Sequence, residues 1–244
     1  MTELQKKCLV CQKPFYPYPM GEKNGYKFTA CKSCGSVMAE PFPSQAFLDK
    51  YFGDIQPEIV HAPVPQAEIS EATKAIKKVA GENCKGRRFL DVSCRQGYGV
   101  LAAKELGFQA YGIDPHDFFI TFAKDKYDPH LFEYITVQDY AKKGGQAEFI
   151  YITEAFCEQP DPETYMAALS KILAPGGVIY LHEPDGNHLR LPTNFTNWGF
   201  VDPPLNFLYL SKRGTTALLD RHGLKIQKSF FTWSPFMRLI IVRK

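Results

Sequence analysis

Four cysteines in two close pairs carry the plainest chemistry in this sequence. They are Cys8 and Cys11 in "CLVC" and Cys31 and Cys34 in "CKSC", with nineteen residues between the pairs. Each C-x-x-C turn offers two thiolates to one ion, and two such knuckles complete a tetrahedral four-sulfur site for Zn2+. That shell leaves no position for water, so the ion would be structural. The chain has seven cysteines. An odd count with this spacing argues for metal over disulfides. A front end of this size builds little core alone, so metal would supply much of its folding free energy.

The second chemistry-bearing stretch is "LDVSCRQGYG" at residues 90–99. Asp91 ends a short apolar run. Gly97 and Gly99 open a helical pattern, where glycine lets a cofactor approach the backbone closely. Ser93 and Arg95 stand where two more glycines would complete a nucleotide-binding turn. Ser93 fits if its φ is negative. Arg95, pointing inward, either pairs with a cofactor carboxylate in a bidentate match or fills the pocket and excludes the cofactor. Asp114 lies 23 residues after Asp91, at the end of the next strand. An acid there can grip both hydroxyls of a ribose. Later strand ends bring Glu154 and Glu158, then His182, Glu183, Asp185 and His188. Glu154, His182 and His188 are the candidate catalytic groups, and either histidine suits a base near neutral pH.

The elements that must position these residues follow from periodicity. The zinc ribbon spans 1–43. Residues 44–65 form a short helix, capped by Ser44 and running through Tyr51, then a proline-rich linker that includes His61. From residue 66 helix and strand alternate. "AEISEATKAIKKVAG" is helical, "RRFLDV" a strand, "YGVLAAKELG" a helix and "QAYGIDP" a strand. "DFFITFAKDKY" is a helix, and "FEYITV" and "AEFIYIT" are strands. "PETYMAALSKIL" is a helix and "GGVIYLHEP" a strand. "RGTTALLDRHG" is a helix, and "LKIQKSFFTW" with "FMRLIIVRK" forms a closing hairpin. Such alternation implies an α/β domain with a doubly wound, mainly parallel sheet, whose ligands bind beyond the carboxyl ends of the strands.

Composition narrows the setting. No apolar run approaches the ~20 residues of a membrane span, and "MTELQKKC" lacks a signal-peptide core, so a cytoplasmic protein is expected. The net charge of +3 is unevenly spread: +3 over residues 1–52, −7 over 53–203 and +7 over 204–244. A basic C-terminal segment either faces phosphates, of a nucleotide sugar or of RNA, or is a solvated surface.

The order and distances of "FLDVSCRQGYG", "YGIDP", "VQDYA", "EAFCEQPDP" and "LAPGG" resemble class I S-adenosylmethionine-dependent methyltransferases over residues 66–244. The ribbon followed by "AEPFP" and "FLDKYF" resembles a subgroup that fuses such a ribbon to this domain and modifies sugars and glycans. The resemblance implies a seven-stranded Rossmann-like sheet. It also implies a cofactor site of Asp91, Ser93, Arg95, Gly97, Asp114, Pro115, Asp139, Tyr140 and Thr153. Within it Asp139 would meet the adenine amino group, with Val137, Gln138 and Tyr140 near the ring. Thr153, Glu154, Ala155 and Phe156 would lie under the methionine. The aromatic segment 190–211, with Phe195, Trp198, Phe200, Phe207 and Tyr209, either lids the acceptor or packs onto the sheet. A dinucleotide site fits less well, because the turn lacks G-x-G-x-x-G. Three functions follow: methylation of oxygen or carbon on a small molecule or glycan precursor, methylation of RNA, or non-catalytic binding by a degenerate domain.

Overall fold

A computed structural model describes residues 7–54, 66–81 and 84–244. The proline-rich linker and His61 lie outside the described residues. The ribbon contributes β1 (Pro17–Lys23), β2 (Tyr26–Cys31) and β3 (Val37–Glu40), an antiparallel meander. Helix α1 (Gln45–Asp54) follows, its first turn fixed by Ser44 Oγ, which accepts the Phe47 N–H at 3.2 Å.

The larger unit begins with α2 (Gln66–Ala80), which buries Ile69, Ala72 and Ile76 along one helical stripe. Then come β4 (Arg88–Asp91), α3 (Tyr98–Glu105), β5 (Gln109–Asp114), α4 (Asp117–Lys126), β6 (Phe132–Tyr134), α5 (Val137–Lys142) and β7 (Ala147–Thr153). Helix α6 (Pro162–Ile172), β8 (Leu173–Pro184), β9 (Leu208–Tyr209), α7 (Lys212–Arg221), β10 (Leu224–Phe230) and β11 (Phe236–Arg243) complete the chain. Seven strands form one sheet in the order β10-β11-β8-β7-β4-β5-β6. Strands β8, β7, β4, β5 and β6 run parallel, while β11 is antiparallel to both neighbours. The expected doubly wound, mainly parallel sheet is present. Strand β7, "AEFIYIT", is apolar on both faces because helices cover both.

Two local differences trace to capping and register. The third strand stops at Tyr134, because the Thr136 side chain accepts the Asp139 N–H and starts α5. "VQDYA" is therefore helical. Strand β8 begins at Leu173, ahead of the expected glycines, through a bulged register beside Ala147 and Phe149.

The ribbon is not a separate body. Strand β9 adds to β3, with Val37 opposite Tyr209 and Met38 opposite Leu208. The aromatic segment packs here. Phe195 and Tyr209 sit 5.6 and 6.1 Å from the Phe28 ring, and Phe207 sits 4.9 Å from Phe42. Phe28, Phe195, Phe207 and Tyr209 are all fully buried, each stabilising the junction by roughly 2–3 kcal/mol. These rings fasten the ribbon to the sheet domain. The Arg221 guanidinium donates to the Val10 carbonyl at 2.7 Å and so adds a polar tie.

Candidate functional site

The four ribbon cysteines are buried, and their sulfurs lie within 4.8 Å of one another. Cys8 Sγ and Cys34 Sγ are 3.9 Å apart. Zinc–sulfur bonds of about 2.3 Å in a tetrahedron put sulfurs about 3.8 Å apart. The cluster thus has the donor set, the size and the burial that a structural zinc requires.

The second site lies at the carboxyl ends of β4, β5, β7 and β8. The turn after β4 is built around Arg95, which holds φ at 45°. The left-handed conformation falls at this second glycine position, whereas Ser93 keeps a negative φ. An L-residue there costs about 1–2 kcal/mol. The Arg95 N–H donates to Asp114 Oδ2 at 3.0 Å, and the guanidinium donates to Glu158 Oε1 at 2.9 Å. Arg95 Nη1 is also 3.8 Å from Glu154 Oε2. These bonds offset the strain. Gly97, at φ 92°, packs against Phe132, whose ring a Cβ would meet at 2.8 Å. At Gly99 a Cβ would stand 2.3 Å from Asp91 Oδ2. Both turn glycines are therefore required sterically.

The Arg95–Glu158 pair stands between two cavities. One, of about 380 Å3, is lined by Asp91, Ser93, Arg95, Gly99, Thr153, Glu154 and His182, with Glu68 and Glu71 from α2. The other, of about 60 Å3, is lined by Ser93, Pro115, His116, Thr136, Val137, Gln138 and Glu158. The larger chamber is acidic. Burial pushes the Asp91 carboxyl up to about 7. Burial also raises Glu158, which Arg95 pulls back down. Asp114 is fully buried. Besides Arg95, it accepts from the His116 N–H and lies 2.9 Å from His116 Nδ1.

Several expected residues lie elsewhere. Asp139 is half-exposed on α5, where it bonds Thr136 Oγ1 and Lys142 Nζ, each at 2.8 Å, and it lines neither cavity. The unexpected helix turned it away. Tyr140 stacks on Tyr111 at 6.3 Å, off the cleft. His188 is held in its own loop, accepting the Arg190 N–H at 3.1 Å, and does not line the cleft. Glu183 is buried. Its Oε1 accepts the Ala155 and Phe156 N–H groups at 2.7 and 3.0 Å, which pins the loop after β7. Burial pushes the Glu183 carboxyl up to about 8. His182 does line the chamber, but burial and nearby Arg238 push its imidazole down to about 4. Glu154 lines it too, at a strained φ of 54°. Glu68, Glu71 and His116 are not marked by any motif in the sequence. The signal for the first two was their i,i+3 spacing beside the buried stripe of α2.

A family profile described as "Methyltransferase domain" matches residues 66–229. The chain belongs to that family. It is an S-adenosylmethionine-dependent methyltransferase. Solved structures with the same fold include magnesium protoporphyrin IX methyltransferase from Synechocystis PCC 6803 with bound SAH. It has 17% identity and a TM-score of 0.62, over 82% of this chain and 100% of that one. The mitomycin 7-O-methyltransferase MmcR has 13% identity and a TM-score of 0.56, over 79% and 60%. A methyltransferase from Bacteroides fragilis in complex with S-adenosyl-L-homocysteine has 14% identity and a TM-score of 0.54, over 75% and 78%. No curated protein matches the sequence. Among the described residues, no helix of this methyltransferase is long and apolar enough to cross a membrane.

Proposed function

We propose that this methyltransferase modifies oxygen or carbon on a small molecule or glycan precursor, and that a zinc ion in the four-cysteine cluster is structural. The observation that carries the reading is the acidic chamber against the glycine turn. A cofactor with an ammonium and a sulfonium against one carboxylate is net positive at that end, and Asp91, Glu68, Glu71 and Glu154 surround the space. S-adenosylmethionine, when bound, supplies an electrophilic methyl group. Asp91 and the N-terminus of α3 hold the amino-acid end, and Gly99 gives it room. Asp114 and Pro115 serve the ribose end, with Thr136, Val137 and Gln138 in place of Asp139 and Tyr140 around the base. For a cofactor to span both cavities, the Arg95 guanidinium leaves Glu158 and meets the cofactor carboxylate.

His182 and Glu154 act on the acceptor. A neutral His182 is too weakly basic to strip a proton unaided, so it accepts a hydrogen bond and orients the nucleophile. His188 has no part. Small-molecule acceptors gain support from structural neighbours named for a porphyrin and for mitomycin. Cytoplasmic residence accords with seven unbridged cysteines. Calorimetric titration of S-adenosylmethionine into the zinc-loaded protein tests the reading. Saturable binding that Asp114→Ala abolishes is expected. No binding would sink it and leave a non-catalytic domain.

A further inference from the structure

A third cavity, of about 250 Å3, adjoins the acidic chamber and has the opposite charge. The two share Glu71, Tyr151 and His182 as a common wall. Beyond that wall stand Lys74 and Lys78 from α2 and Arg238 from β11, with Tyr180 and Phe230. Three cations thus face one carboxylate. Register explains the meeting: Arg238 lies opposite His182 on β8, and His182 opposite Thr153 on β7. All three side chains therefore share one face of the sheet, and α2 covers that face with its lysines.

Two buried polar atoms in this recess lack partners. His182 Nε2 and Arg238 Nε make no hydrogen bond. Buried donors and acceptors are seldom left unmet, and a guanidinium without a carboxylate is a waiting oxyanion site. Among the described residues no ion pair engages Arg238, Lys74 or Lys78. The recess walls are aromatic. Tyr151 and Tyr180 stack at 5.3 Å, and Lys78 Nζ lies 4.4 Å from the Phe230 ring centre. A flat apolar body would sit against these rings while its charged group met the cations.

We propose that this recess binds the methyl acceptor, and that the acceptor carries an oxyanion, a carboxylate or phosphate, bound by Arg238, Lys74 and Lys78. The inference rests on the methyltransferase reading and extends it to the substrate class. The arrangement is complementary on both sides: the acidic chamber suits a cationic donor, and the basic recess suits an anionic acceptor. The shared wall, His182 included, stands where the two would meet. The basic C-terminal segment thereby acquires a use, since Arg238 belongs to it.

The test uses the full zinc-loaded chain, with and without S-adenosylhomocysteine, and two probes, inorganic phosphate and benzoate. His182 ring resonances are followed by NMR. A saturable shift with at least one probe is expected, with affinity weakened tenfold or more in Arg238→Gln and threefold or more in Lys74→Gln/Lys78→Gln. The double lysine variant alters only exposed positions, so it keeps the test open if Arg238→Gln folds poorly. The relative response to the two probes tells phosphate from carboxylate. No saturable shift with either, a shift indifferent to all three substitutions, or binding of an RNA oligomer but of neither probe would overturn the proposal. Calorimetry with S-adenosylmethionine on the same samples checks the underlying reading separately. Both variants should retain wild-type cofactor affinity within about twofold.

Discussion

The cysteine cluster and the cofactor cleft both gather charged groups from separate loops, but in different states of readiness. At the cluster four buried sulfurs converge on one space, with only weak contacts such as Cys8 Sγ to Cys34 Sγ and the Ser36 N–H to Cys34 Sγ. At the cleft the groups that a cofactor needs are bonded to one another. Asp114 is taken by Arg95 and His116, and Glu158 by Arg95. A metal knuckle needs only local spacing, because two residues between cysteines fix the turn. A cleft built from four strand ends satisfies its own polar groups until a ligand replaces those bonds. Metal binding therefore displaces thiol protons at the first site, and cofactor binding displaces bonds between protein groups at the second.

The contrast can be broken most forcefully at the cluster. Cys34→Ser should cut bound zinc from one equivalent to near zero by metal analysis. It should cost several kcal/mol, roughly 10 °C or more in Tm. Retention of zinc would dissolve the comparison. At the cleft, Gly99→Ala drives a Cβ into Asp91. About 1–3 kcal/mol of destabilisation is expected by denaturant unfolding, with at least a tenfold loss of S-adenosylmethionine affinity. Arg95→Gly sharpens the contrast. It removes the guanidinium proposed to meet the cofactor carboxylate, so cofactor affinity should fall about tenfold, some 1.4 kcal/mol. Tighter binding would mean that breaking the Glu158 pair costs more free energy than the carboxylate contact returns.

Acidity probes the same exchange. Asp91 holds its proton up to about pH 7, so cofactor affinity should climb up to about tenfold between pH 6 and 8 as the carboxylate ionises. The free protein should respond oppositely. A carboxyl whose folded pKa is raised keeps its proton longer when folded. Its contribution to stability then falls as pH rises from about 4 to 7, and Glu183 extends the fall to about 8. Asp91→Asn should flatten this slope in Tm measured across that range. The smallest effect belongs to Asp139→Ala. It should leave cofactor affinity within twofold and cost at most about 1 kcal/mol of helix capping.

Legibility from sequence followed the range of the interactions involved. The ribbon cysteines, the alternation of strand and helix and the place of the glycine turn rest on short spacings, and all are present. Asp139 is re-aimed by a threonine cap at Thr136, inside the stretch expected to be strand. His188 is turned aside from the cleft by the Arg190 N–H and by Thr232. The aromatic segment reads equally well as lid or packing, and only the ribbon's position decides for packing. The orientation of Arg95 depends on Glu158, which is 63 residues away in sequence but follows β7, the strand next to β4 in the sheet. Spacing along the chain carries no record of that meeting.

Strand β9 has a consequence for how the chain is made. Val37 waits for Tyr209 to complete its sheet, and synthesis delivers the two far apart in time. The cysteines emerge first and can capture metal early. Their sheet still lacks its last strand, and Phe28 lacks its covering rings, until residues 195–209 have left the ribosome. The ribbon is thus finished only after strands β4 to β8 have been made, and a product truncated before residue 208 would expose an apolar stub suited to capture by chaperones or proteases.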